Sequence, residues 1–229
     1  MVTPDSTSLP DALTAAPREY SRGERLSDAV VHLAGLVLAL AAVPVLITLT
    51  AVWRGDAAGI AAVSIYGATL IAMLLCSLLY NHLRTPGWTP FLRRLDHSAI
   101  HFKIAGTYTP FALLSGAGGT LLAAIWVAAA AATLLVVLVR RRPTRTGVVV
   151  GLLMGWAVIV GGQDVIAALP WSVLGLMVVG GLLYSAGTPF LLAERLRYHN
   201  TIWHGFVVAA SILFFVAVFL TAAAVPGTA

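Results

Sequence analysis

Seven uninterrupted apolar runs dominate the chain, at about 28–53, 59–83, 95–115, 118–139, 147–164, 170–193 and 200–224. An α-helix needs roughly 20 such residues to cross about 30 Å of hydrocarbon. The runs are continuous rather than alternating, which favours helices and disfavours a β-barrel. Composition agrees, with 59% hydrophobic and 10% charged residues and a mean hydropathy of +0.93, against roughly 25% charged in a soluble domain. One globule has no way to hide that much apolar surface from water. The chain therefore reads as an all-α polytopic membrane protein, a seven-transmembrane helix bundle. Residues 25–229 form the membrane domain, with no internal repeat and no second domain.

The net charge of +5 suggests nucleic acid until its positions are read. Twelve of the thirteen arginines lie in the polar N-terminal segment and in alternate loops, between runs 2 and 3, 4 and 5, and 6 and 7. The opposite loops carry only Arg54, and the one lysine, Lys103, lies inside a run. That bias orients membrane proteins rather than binding nucleic acid, and it sets the N-terminus in the cytoplasm and the C-terminus outside. Residues 1–24 are polar and contain Pro and Ser but no apolar core of a signal peptide, so they read as a mobile cytoplasmic tail. Cys76 is the single cysteine, which excludes an intrachain disulfide and a thiolate zinc cage. The location implied is the bacterial cytoplasmic (inner) membrane, with membrane lipids as partners and no nucleic acid. Protein partners are not identified.

Alternating orientation puts the intramembrane polar groups at one depth. Asp28 and His32 open run 1; Ser77, Asn81 and His82 close run 2; Asp96, His97 and His101 open run 3; His199, Asn200 and His204 open run 7. All fall in the cytoplasmic third. Polar groups in hydrocarbon are costly and are usually paired or functional, so one shared cluster is the simplest reading. Each member also has a plainer one. Ser77 and Asn81, four apart, can hydrogen-bond a neighbouring helix. His82 and His199 can be wetted residues at run ends, and His32 a packed, bonded histidine. Asp96 can be an N-cap for run 3. His97 and His101 have the spacing of a two-histidine metal arm but lack an evident third ligand. Lys103 sits deeper, where a carboxylate partner or a side chain snorkelling to the interface is expected. Gly151-x-x-x-Gly155 and Gly180-Gly181 read as close helix-packing points.

The polar islands in order, DAVVHLAG (28–35), SLLYNHL (77–83), RRLDHSAIHFKIAGTYTPF (93–111), GGLLYSAGTPF (180–190) and RYHNTIWHGFVV (197–208), resemble the hemolysin III family. This is the bacterial branch of the progestin and adipoQ receptor group, and the likeness runs from about residue 24 to the end. It implies zinc near the cytoplasmic side, held by three histidines: one closing span 2 in Ser-x-x-x-His, two opening span 7 in His-x-x-x-His. An aspartate opening span 3 accompanies them. Here those positions are Ser77 with Asn81, Asn200 with His204, and Asp96. Two of the three ligand positions are thus asparagine, a weak oxygen donor for zinc, and tight zinc binding in the family's form is expected to be lost. His82 and His199 stand next to the two asparagines. Neighbours on a helix point about 100° apart, so either replaces its neighbour only where its helix begins or ends. His97 or His101 offers another arrangement.

Three functions compete. The resemblance implies a zinc-dependent hydrolase cleaving the amide of a membrane lipid such as a ceramide, with Asp96 and Ser77 as catalytic groups and His204 as ligand, or a membrane-homeostasis factor. A non-enzymatic sensor or regulator with a degenerate metal site is the alternative, since histidines titrate near neutral pH. A pore-forming cytolysin comes last, because no secretion signal and no amphipathic pore-forming stretch is evident.

Overall fold

The computed structural model describes residues 20–83, 85, 87–139 and 144–224. They form α1 (Arg22–Arg54), α2 (Ala57–His82), α3 (Thr89–Ser115), α4 (Gly119–Leu138), α5 (Thr144–Gly155), α6 (Val158–Gly161), α7 (Gln163–Ala168), α8 (Trp171–Leu192) and α9 (His199–Ala223). No strand occurs among the described residues. Six helical segments are long and apolar enough to cross a membrane: α1, α2, α4, residues 144–161, α8 and α9. Most of the tail expected at residues 1–24 lies outside the described residues. Its last residues already belong to the bundle, because α1 begins at Arg22 behind a capping box formed by Ser21 and Glu24.

The bundle is inverted relative to a soluble protein. α3 is the least apolar of the long helices, yet every residue from Ala105 to Ala112 is buried. It packs against α2, α4, α5, α7 and α9. Large apolar side chains face outward, with Trp171 at 87% and Val160 at 83% exposure. Lipid tails solvate leucine and valine as well as protein does, so the polar helix goes inside.

The segment IAGTYTPF shows how α3 is held there. Gly106 leaves room for Thr69 of α2, and any Cβ would collide with that side chain. The Thr107 and Thr109 hydroxyls donate to the carbonyls of Lys103 (2.8 Å) and Ala105 (2.9 Å). Thr109 also accepts from the indole of Trp126 on α4 at 3.2 Å. The Tyr108 hydroxyl donates toward the carbonyls of Met154 (3.1 Å) and Gly155 (2.9 Å) and accepts from the Val158 amide (3.1 Å). Those groups flank a break in the fifth run. At residues 156–160 the bonds shorten to the i→i+3 type, as from Ala157 to Met154 and from Ile159 to Trp156. A single side chain from α3 thus satisfies backbone groups that the break leaves open in a place without water.

Two boundaries differ from the sequence reading. α3 starts two turns early, at Thr89, with a proline in its first turn. Asp96 therefore lies inside the helix and does not cap it. The fifth run is α5 and α6 with the break between them, followed by α7, rather than one rod over 147–164. Gly180 and Gly181 do allow close packing: an added Cβ would lie 2.8 Å from Phe214 and 3.2 Å from Trp156. Gly155 does not, since nothing lies within 4 Å of its Cβ position, and Gly151 meets only Ile104 at 3.8 Å. Outside the spans, the Gly59 amide and the Arg54 guanidinium hold the Asp56 carboxyl below the ordinary carboxylate range at the N-cap of α2.

Removing the Tyr108 hydroxyl takes this partner from the Gly155 carbonyl and the Val158 amide, and one of two partners from the Met154 carbonyl, while keeping the ring. Tyr108→Phe is expected to cost about 1–3 kcal/mol, read as a lower unfolding temperature of the purified protein in detergent. An unchanged unfolding temperature would mean the break is satisfied some other way.

Candidate functional site

The starts of α1, α3 and α9 and the end of α2 meet at one end of the bundle. The junction of α1 with α9 is built from backbone upward. Glu24 accepts from the Ser21 amide (2.9 Å) with one carboxylate oxygen and from the Tyr198 amide (3.1 Å) with the other. One carboxylate thus caps two helix N-termini, where negative charge is favoured. Tyr198 takes the left-handed conformation at φ 60°, unusual for a residue with a Cβ. Ser27 bonds Thr201 at 2.9 Å, and the Tyr20 hydroxyl bonds His199 Nε2 at 2.9 Å.

One turn deeper, Asp28 organises three imidazoles. Its Oδ1 lies 2.7 Å from Nδ1 of His204 on α9. Its Oδ2 lies 3.2 Å from Nε2 of His82, the last residue of α2, and 3.6 Å from Nδ1 of His32. The His32 Nδ1–H donates to the Asp28 carbonyl at 2.9 Å. The rings of His32 and His204 are 4.0 Å apart between centroids, and those of His32 and His82 are 5.4 Å apart. Asp28 and His32 are buried, and His82 half-buried.

These bonds fix tautomers. A carbonyl only accepts, so His32 carries its proton on Nδ1; the carboxylate imposes the same on His204. Both rings then present an Nε2 lone pair. The two lone pairs converge on Ser77 Oγ, at 3.1 Å from His32 and 3.4 Å from His204. The Asp96 carboxyl lies near Ser77 and His204. One hydroxyl proton therefore faces two imidazole acceptors, with the Asp96 carboxyl nearby. Asn81 adds little here: its amide donates mainly to the Ser77 carbonyl at 2.9 Å and only weakly to Oγ at 3.5 Å. The centre has more acceptors than donors, and a cation is what such a group takes up.

Ligand atoms of Asp28, His32 and His82 lie within 4.8 Å of one another, a grouping able to hold a metal ion. Nε2 of His82 is buried beside Asp28 Oδ2 yet has no partner in hydrogen-bond geometry. An orphaned imidazole nitrogen next to a carboxylate and two oriented histidines is the donor set that suits zinc and similar ions. The residues thus fit a metal, though not in the ligand pattern of the resemblance.

Among the candidates from the sequence, Ser77, Asp96, His204, Asn81, His82 and His32 come together. Asn200, His97, His101 and His199 border the adjoining cavity, His97 with its edge to Tyr80 (6.4 Å between centroids) and His199 on Tyr20. The rule that a histidine replaces its neighbour only at a helix end describes both cases: α2 ends at His82 and α9 begins at His199. His82 reaches the cluster, whereas His199 is engaged by Tyr20. Asp28 is the residue that sequence reasoning placed at the right depth without assigning it to the site. Its i, i+4 spacing to His32 was the available signal.

The cluster opens onto a cavity of about 1030 Å³ between α3, α5, α8 and α9, with walls including Ser77, Asp96 and His204 at one end and Leu174 and Trp171 at the other. Fold and site together define a multi-pass helical membrane protein with a buried Asp/His centre at one end of its bundle. The family described as "Haemolysin-III related" matches residues 23–215. The chain is 34% identical to Hemolysin-3 of Bacillus cereus over 195 residues, covering 84% of this chain and 89% of that protein. It is 34% identical to the Hemolysin-3 homolog of Bacillus subtilis (strain 168) over 206 residues, covering 89% and 96%. The chain belongs to the haemolysin-III related family.

Asp28→Asn removes the charge that faces His204 and His82. It is expected to destabilise the bundle by about 2–4 kcal/mol, whereas Asn200→Ala on the cavity wall costs less than about 1 kcal/mol. Thermal unfolding of both variants checks the order, and the reverse order would displace Asp28 from its organising position.

Proposed function

We propose that this chain is a seven-span protein of the bacterial cytoplasmic membrane whose Asp/His centre holds a zinc-class ion and hydrolyses an amide bond in a membrane lipid. The excess of acceptors around Ser77, opening on a large cavity, carries the reading. The seventh span is α3, whose 27 residues reach about 40 Å at 1.5 Å per residue. The arginine bias supports a cytoplasmic N-terminus and an external C-terminus. A reporter fused to the C-terminus should then be active only outside the cytoplasm.

The residues that would hold the ion are His204, His32 and His82, with Asp28. Such an ion supplies Lewis acidity and a water acidified toward neutral pH. Asp28 fixes the tautomers of His32 and His204. Asp96, near Ser77, would take a proton from the attacking water and return it to the leaving amine. Ser77 donates its hydrogen bond to the oxygen on which charge develops. The apolar part of the cavity receives the acyl chain and excludes bulk water. Of the family's ligand positions, Asn81 supports Ser77 and Asn200 lines the cavity.

A second reading has its own support. Asn81, Ser77, His32, His204 and Asp28 already bond one another, so the centre also works as a hydrogen-bonded core in a membrane sensor or regulator. Elemental analysis of detergent-purified protein separates the two. The hydrolase reading predicts about one zinc per chain, lost in His82→Ala, with fatty acid released from ceramide at a rate at least about 100-fold lower in Asp96→Ala. Protein without zinc that restores a membrane phenotype equally well as wild type and as Asp96→Ala would favour the regulator.

A further inference from the structure

Lys103 projects from α3 seven residues beyond Asp96, about 10 Å deeper along the helix at 1.5 Å per residue. It is 4% exposed. Among the described residues it pairs with no carboxylate, and it is buried rather than snorkelling to an interface, contrary to the sequence expectation. Its Nζ lies over the ring of Tyr184 on α8, 4.3 Å from the centroid, and 5.1 Å from that of Phe214 on α9. Among the described carboxylates, Asp28 and Asp96 belong to the Asp/His centre, Glu24 caps two helices, Asp56 pairs with Arg54, Asp164 stands in the first turn of α7, and Glu194, beyond the end of α8, has a partner of its own. None forms an ion pair with Lys103. A buried lysine in hydrocarbon ordinarily faces a partner or a water-filled path, and aromatic faces only partly replace a counter-charge.

The space beside Lys103 indicates what supplies it. Lys103 lines the cavity of about 1030 Å³, and around and beyond it the wall includes Ile104, Phe111, Leu174, Met177 and Phe214. That volume is at the upper end of ligand sites, about 300–1,000 Å³. Arg93, Arg94, Asp96 and Glu194 also line it, but the first three stand seven to ten residues before Lys103 on α3, about 10–15 Å away at 1.5 Å per residue. Beside Lys103 a cation faces mostly apolar walls, which matches one anion on an apolar chain.

We propose that Lys103, framed by Tyr184 and Phe214, binds the oxyanion headgroup, carboxylate or phosphate, of a ligand held in the cavity. An amphiphile with a single chain meets both features of the chamber. A small free oxyanion satisfies the charge alone. This site is separate from the Asp/His centre and does not require a metal or hydrolysis there.

Equilibrium binding to delipidated full-length protein in detergent tests it, with tritiated palmitate, hexadecanol, acetate and inorganic phosphate as probes. Wild type is expected to bind palmitate at least about tenfold more tightly than hexadecanol. Lys103→Met should erase that difference and Lys103→Arg should keep it within about threefold. Binding of acetate or phosphate without preference for palmitate, still lost in Lys103→Met, identifies a free oxyanion as occupant and retains the site. Equal binding of palmitate and hexadecanol by wild type, with no acetate or phosphate binding, overturns the proposal. So does unchanged anion binding by folded Lys103→Met. Binding is measured after chelator treatment, so that an ion at the Asp/His centre does not hold the carboxylate, and Lys103→Gln replaces Lys103→Met where that variant does not fold.

Discussion

A single carboxylate, that of Asp28, stands within 3.6 Å of imidazoles from α1, α2 and α9. In water such contacts are weak and exchangeable. In a membrane interior no solvent competes, and a buried charge stays only where partners surround it. The carboxylate therefore does two things at once. It ties three helices at one end of the bundle, and it decides which nitrogen of His204 carries the proton. The Asp28 backbone carbonyl does the same for His32. From those two constraints follows the acceptor-rich point at Ser77, and from that point follows the capacity for a cation.

The rest of the bundle keeps that point in place. Glu24 and Tyr198 fix where α9 starts relative to α1. The close approach of Gly106 to Thr69 sets α3 against α2, which brings Asp96 beside Ser77. Tyr108 closes the break in the fifth run and so shapes the cavity wall between α3 and α5. The conspicuous segment IAGTYTPF carries structure rather than chemistry: its hydroxyls return to backbone carbonyls or to Trp126.

Hydropathy made the helices legible because the bilayer sets one length and one polarity for every crossing. The arginine pattern and polar depth made the cluster legible, since helices that alternate in direction bring the end of α2 to the starts of α1, α3 and α9. Three things were not legible. The early start of α3 is hidden because TPFLRR looks like a polar loop, although a proline suits a first helical turn. The break after Gly155 is hidden because the side chain that satisfies it, Tyr108, lies some fifty residues away. Asp28 was visible at the right depth, yet its reach to His82 and His204 depends on side-chain directions that spacing alone does not give. Lys103 reversed expectation for the same reason: depth suggested a carboxylate, and packing supplied aromatic rings.

The tautomers of His32 and His204 are the most direct probe of this arrangement. Nitrogen-15 NMR of histidine-labelled protein in detergent at neutral pH, with single His→Gln variants for assignment, reads the proton on each ring nitrogen. The account predicts that both rings are protonated on Nδ1 with Nε2 unprotonated, and that Asp28→Ala returns His204 to the Nε2–H form common in water. Finding both rings protonated on Nε2 in the unaltered protein would contradict it.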